Sequence, residues 1–227
     1  MSAGLAHVAL HWAEPASHSA DPSDWIYIHE LAGQRILSVR REGPRYLVRV
    51  CGVADYWVSE DAKSVEIVPL PAVERARVQE AFDHQVRPGL HQLLGAPALH
   101  AAAVSTPVGI VAFVGASGAG KSTLVAHLSL RWQLACDDYL PLRVEGDAAW
   151  ATGTSGWVRL RDSTLEALGE SGRVRNGKTA VDRAHDTEPR RLARIFVLGP
   201  ASAQVDVSPV SRRDAALLVA SHLHRLD

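Results

Sequence analysis

"VGASGAGKST" at residues 114–123, with "LACDDYLPL" following at 134–142, is the stretch whose reading decides the fold. Gly115, Gly120, Lys121 and Ser122 satisfy the G-x-x-x-x-G-K-[ST] pattern of a phosphate loop. Before it, "GIVAFV" (109–114) is a continuous apolar run, as expected of a strand buried on both faces. Gly115 lets the chain turn off that strand, and Gly118 and Gly120 leave room for oxygens to reach backbone N–H groups. A helix expected from Lys121 adds its unpaired N–H groups and the positive end of its dipole. The expected nucleotide cradle is therefore Gly115, Ala116, Ser117, Gly118, Ala119, Gly120, Lys121, Ser122 and Thr123. In that cradle Lys121 reaches the outer phosphates, and the Ser122 hydroxyl can hold Mg²⁺.

Asp137 and Asp138 end a short apolar strand, "LAC", downstream of the loop. Neighbours in a regular strand point to opposite faces, so both acids can serve one ligand only where the strand frays into a turn. The sequence "DDYLP" supplies such an ending. Phosphoryl transfer to a hydroxyl needs a carboxylate to accept the proton and often another to anchor the metal. Spacing alone does not assign the two roles. The expectation adopted is Asp137 as base, with Asp138 joining Ser122 on the metal.

Working outward, residues 13–24 (AEPASHSADPSD) read as a loop. From Trp25 to Pro69, "WIYIHEL", "RILSVRR", "RYLVRVCG", "DYWVSED" and "SVEIVPL" alternate apolar with polar residues between turn residues. They predict a small, mostly antiparallel sheet. Over 71–94 the period changes: Val73, Val78, Ala81, Phe82, Val86, Leu90 and Leu93 mark a helical stripe interrupted at Pro88. Strands are predicted at 134–136, 141–145 and 148–151, with a turn at "EGD" (145–147). A helix follows over Ser163–Leu168 behind Asp162 as N-cap. "ARIFVLGP" (193–200) and "AQVDVSPV" (203–210) read as two further strands, and 211–225 as a closing helix capped by Ser211 with Asp214 three residues on. The expected division is a β-rich region over 1–95 ending in a helix, then an α/β domain carrying the loop over 96–227.

The 227 residues are 47% hydrophobic and 22% charged, which suffices for a sizeable core, and the formal charge of −1 gives no overall attraction to nucleic acid or anionic membrane. No dense Lys/Arg block compensates locally, and the tryptophans lack the basic interleaving of a nucleic-acid surface. No apolar stretch is long enough to span a membrane, and the N-terminal residues lack the basic and apolar regions of a secretory signal. The two cysteines, Cys51 and Cys136, have no metal-ligand spacing and read as reduced thiols, so the expected compartment is cytoplasmic. His222 and His224 read as a solvated helix end rather than a metal site.

"LHAAAV" (99–104), "FVGASGAGKSTL" (113–124) and "LACDDYLPL" together resemble the catalytic domain of bacterial HPr kinase/phosphorylase. They are closer still to its shorter relatives, the HPr-kinase-like proteins that often accompany biosynthetic clusters for modified peptides. Weaker matches are "GWVRLRDSTLEALG" (156–169) and "NGKTAV" (176–181) followed by "ARIFVLGP". The resemblance implies an α/β fold of the HPr kinase/PEP carboxykinase type and an ATP- and Mg²⁺-dependent kinase acting on a serine hydroxyl of a protein or precursor peptide. It also implies His100 beside the phosphates and gives Arg159 and Lys178 parts in the site. Bifunctional relatives assemble as oligomers, which makes a homo-oligomer an expectation too. One departure stands out. Where those enzymes carry a Glu-containing signature, this chain reads "VRLRDS" (158–163), which weighs against reverse activity and against HPr as acceptor. Two other readings stay open: a kinase for a small hydroxyl compound such as free serine, and a non-catalytic nucleotide-binding regulatory module.

Overall fold

A computed structural model describes residues 8–19, 21–31, 33–93, 96–175, 178–200, 202 and 204–223. The protein is a mixed α/β chain of several sheets and few helices, and it divides into two compact units, one running to Ala96 and the other starting at Pro97.

In the first unit the strands are β1 (Ala9–Trp12), β2 (Tyr27–Leu31), β3 (Gln34–Glu42), β4 (Arg45–Val50), β5 (Ala54–Ser59) and β6 (Ser64–Pro69). They form one six-stranded sheet in the order β1-β6-β5-β4-β3-β2, antiparallel except for the parallel β1–β6 pair. Alternation builds the core: Val48, Val50, Tyr56, Val58, Val65 and Ile67 are buried on the sheet, and Val78, Phe82, Val86 and Leu90 cover them from the helical segment. The buried Tyr56 hydroxyl donates to the Val78 carbonyl at 2.8 Å, tying that segment down. α1 (Arg75–Ala81) and α2 (Arg87–Leu93) flank a π-helical stretch, Phe82–Val86. The α-helix is interrupted just ahead of Pro88, at this π-helical stretch, and not at the proline itself. The wider turn ahead of it relieves the clash a proline ring makes with the carbonyl of the preceding turn.

The second unit contains β7 (Ala98–His100), β8 (Ala102–Thr106), β9 (Gly109–Gly115), α3 (Lys121–Leu128), β10 (Gln133–Cys136), β11 (Tyr139–Glu145), β12 (Ala148–Ala151), β13 (Trp157–Leu160), α4 (Asp162–Leu168), β14 (Arg173–Arg175), β15 (Lys178–Asp182), β16 (Arg190–Leu198) and α5 (Arg212–Ser221). Seven strands pair in the order β10-β8-β9-β16-β12-β11-β7, and β13-β15-β14 form a small second sheet. β9 runs antiparallel to β8 and parallel to β16, with Leu198 opposite Gly115. Both of its faces are packed: Ile110, Ala112 and Val114 join one apolar cluster, while Phe113 joins Val125, Leu134 and Leu160 in another.

Three sequence expectations are corrected here. Residues 204–210 form no strand; Val205 is 96% exposed, and Pro209 has no N–H to give a ladder. Arg161, not Asp162, is the N-cap of α4, and Asp162 is instead its first residue, where its charge suits the helix dipole. α5 is capped by the Ser211 side chain accepting from the Asp214 amide but ends at Ser221, and residues 224 and 225 of the predicted helix lie outside the described residues.

Candidate functional site

The site gathers at the end of β9 where the Gly-rich loop leaves it. Gly120 is the N-cap of α3 at φ +91°, a left-handed conformation that favours glycine. At Gly115 a side chain has no room, since a Cβ would lie 2.9 Å from the Leu198 carbonyl oxygen. The loop thus delivers the chain from a buried strand into the first turn of a helix, with Lys121 and Ser122 as its opening residues. Lys121 is only 8% exposed, and its Nζ donates to the carbonyls of Gly115 at 2.8 Å and Ala116 at 3.1 Å. Two of its three N–H donors are used, which leaves one for a ligand on the loop.

Asp137 and Asp138 occupy the two-residue link between β10 and β11. A register shift between Leu134 and Cys136 in the β10–β8 ladder twists the strand end just before them. The Ala101 amide donates to the Asp138 carbonyl at 3.2 Å, and the Cys136 thiol donates to the Ala101 carbonyl at 3.2 Å. These bonds pin the turn to the β7–β8 junction.

His100 and Arg159 then meet the pair. His100 Nδ1 is 3.0 Å from Asp138 Oδ1, and Arg159 Nη2 donates to Asp138 Oδ2 at 3.0 Å. The Arg159 backbone N–H donates to Asp137 Oδ2 at 2.8 Å, with its Nε 4.0 Å from the same oxygen. The structure therefore brings His100, Asp137, Asp138 and Arg159 into one hydrogen-bonded group. Ser122 belongs with them through its hydroxyl, which acts on the Asp137 carboxylate.

The two acids differ in setting. Asp138 is part-exposed and bonded on both oxygens. Asp137 is buried, and its Oδ1 meets no donor at hydrogen-bonding geometry among the described residues. Burial pushes the Asp137 pKa up to about 6, against the pull of the Arg159 amide, the Ser122 hydroxyl and the Arg159 charge. A buried carboxylate oxygen without a donor, beside a serine hydroxyl at a helix start, is the chemistry of a hard-cation ligand. The remaining ligands of such an ion would be waters and phosphate oxygens, so the donor set fits Mg²⁺ held with a nucleotide. Among the described residues there is no cluster of three or more His, Cys, Asp or Glu side chains arranged as a metal site of their own.

Two residues outside the expected set lie at or beside the site. Arg161 is alongside the loop, since a methyl group added at Gly118 would come within 3.9 Å of its Nη2. Its i, i+2 spacing from Arg159 was the available signal, and it lies just past β13 as the N-cap of α4. His222 is half-buried, and its carbonyl accepts from the His100 amide at 2.8 Å. It is the C-cap of α5, a helix end as expected, but half-buried rather than fully solvated. Lys178 opens β15, but its side chain, with Gly177, lies outside the described residues.

Among solved structures, this chain is similar to the Hpr(Ser) kinase/phosphatase from Coxiella burnetii, at 18% identity and a TM-score of 0.31, over 44% of this chain and 58% of that one. It thus spans a little over half the length of that protein. No protein-family model matches the chain. No curated protein matches it either. A likeness at this level does not establish membership of a family. No helix among the described residues is long and apolar enough to cross a membrane.

Proposed function

We propose that the second unit is a phosphate-loop kinase of the HPr-kinase type, transferring a phosphoryl group from ATP to a serine hydroxyl of a protein or peptide. The observation that carries this reading is the Asp138 carboxylate, held between His100 and Arg159 beside a glycine-rich loop and its buried lysine. A nucleotide switch needs a metal-binding acid only. A second, part-exposed acid oriented by a histidine and an arginine is what a hydroxyl acceptor requires.

MgATP would supply the transferable phosphoryl group when bound at the loop. Gly118, Gly120 and the α3 amides would cradle its phosphates, with Lys121 and Arg161 neutralising charge. Ser122 and Asp137 would hold the ion, because the Ser122 hydroxyl acts on Asp137 and that acid has the unclaimed buried oxygen. This reverses the roles adopted from sequence. Asp138 would accept the proton of the acceptor hydroxyl, oriented by His100, and Arg159 would hold both acids in register. Arg159 is then a positioning residue for the two acids.

The test is incubation of the whole protein with MgATP and a panel of acceptors: serine-containing peptides encoded beside its gene, free serine and a nucleoside. Mass spectrometry should find one added phosphoryl group on a serine of a peptide. Addition only to the small molecules would move the reading to a metabolite kinase. No addition to any acceptor, with nucleotide binding intact, would leave a binding module.

A further inference from the structure

β16 is a nine-residue strand with one edge left open. It pairs with β9 along Leu192–Leu198, while on its other side β12 takes up Arg190 and Arg191. From Ala193 to Leu198 that other side meets no ladder partner among the described residues. No residue of β16 is buried, whereas β9 beside it is buried at all but one position. A groove of about 380 Å³ lies along this edge, walled by Ala149 of β12, Leu192, Ile195 and Val197 of β16, and Leu218 and Val219 of α5. A long apolar edge is a template for a further strand unless proline, lysine or a covering element blunts it. The stretch "LARIFVL" (192–198) contains neither proline nor lysine.

We infer that the free edge of β16 docks the acceptor as an extended segment, which adds a strand there and leads towards the Gly-rich loop. The inference rests on the reading of the acceptor as a protein or peptide. β10 and β9 are each antiparallel to β8, and β16 is parallel to β9, so all three run the same way. Their carboxyl ends share one edge of the sheet, with Leu198 opposite Gly115 and Asp137 directly after Cys136. An added strand would lie four strand spacings from β10, roughly 20 Å, which about six residues of extended chain cover. The serine therefore sits on the order of six residues from the docked segment. Alternation sets the segment's chemistry. Residues opposite Ile195 and Val197 face the groove and are apolar, while the one opposite Arg194 lies on the other face. There the exposed Arg194 guanidinium reaches back to the Ala193 carbonyl at 2.8 Å and meets no acid among the described residues. An Asp or Glu at that position completes the pair. A second copy laying its own β16 here would bring another Arg190, Arg191 and Arg194 into the same ladder, which like-charge repulsion disfavours. The chain's own residues 204–210 form no strand.

The experiment uses the full chain, MgATP and the serine-containing peptides encoded beside its gene, with steady-state transfer and amide hydrogen exchange as readouts. The accepted peptide should slow exchange across residues 193–198. N-methylation of alternate backbone amides in its docked segment should impair its use, and methylation of the amides between them should not. Val197→Lys and Arg194→Glu should each raise the peptide KM about tenfold, with kcat and the KM for ATP unchanged. Both positions are exposed, so the variants should unfold at the wild-type temperature. Peptide phosphorylation with wild-type KM in both variants overturns the inference and leaves the kinase reading standing. A dimer that forms without peptide and is split by these substitutions gives the edge to a second copy and overturns it too. If wild type phosphorylates none of the peptides, the peptide-kinase reading and the inference fall together.

Discussion

The backbone N–H of Arg159 donates to Asp137 Oδ2 at 2.8 Å, while the side chain of the same residue donates to Asp138 Oδ2 at 3.0 Å. One residue of β13 thus fixes both acids by two separable bonds. Replacing the side chain keeps the first bond and removes the second. Arg159→Gln should therefore lower phosphoryl transfer by about 10²-fold. Its stability should stay within about 1 kcal/mol of wild type, since the ion pair it loses is part-exposed. Steady-state rates beside denaturant unfolding check both halves.

Asp137→Asn probes the buried acid. The Asp137 pKa is raised from 3.8 to about 6, so the folded protein binds its proton more tightly than the unfolded chain does. The favourable effect of that neutral buried acid is present below about pH 4 and is lost as pH rises through about 6. Asparagine stays neutral throughout. The variant should therefore gain stability relative to wild type between about pH 4 and about pH 7, by up to about 3 kcal/mol. Equal differences at the two pH values in metal-free buffer would contradict the raised pKa. Mg²⁺ dependence of nucleotide binding should also fall in this variant.

Lys121→Ala should abolish measurable binding of a fluorescent ATP analogue while the fold persists. Its ammonium donates to loop carbonyls, at Gly115 and Ala116, so the loss falls on the loop itself. Circular dichroism of the variant should match wild type.

Gly120→Ala puts a Cβ on a residue at φ +91°. The strain should cost about 1–2 kcal/mol, read by thermal or denaturant unfolding, and nucleotide affinity should fall with the altered loop.

The Gly-rich loop was legible because local signals coincide there: an apolar run for β9, glycines where the chain turns, and a helix beginning at Lys121. The Asp pair was legible as a strand ending, though its separation into one buried and one part-exposed acid was not, since a bulge in β10 decides it. Other features depend on distant partners. β1 is a four-residue strand that exists through its parallel pairing with β6, which local periodicity in "ALHW" does not announce. Residues 204–210 show the converse: the alternation of Val205 and Val207 suggests a strand, yet no neighbouring ladder takes it up among the described residues. Arg161 approaches the loop at Gly118, and the His222 backbone meets His100 beside the Leu99–Leu223 bridge, contacts between segments far apart in sequence. The π-helical turn before Pro88 was likewise hidden, because the apolar stripe continues through it.

The most direct test of phosphoryl transfer through this site compares wild type with Asp138→Asn at saturating Mg²⁺ and γ-labelled ATP, following label on the serine acceptor and nucleotide affinity in the same samples. Wild type should label the serine. The variant should bind nucleotide as tightly as wild type and transfer label at least about 10²-fold more slowly. Transfer by Asp138→Asn at the wild-type rate would contradict the role of Asp138 as the base and, with it, the kinase chemistry drawn from the His100–Asp138–Arg159 arrangement.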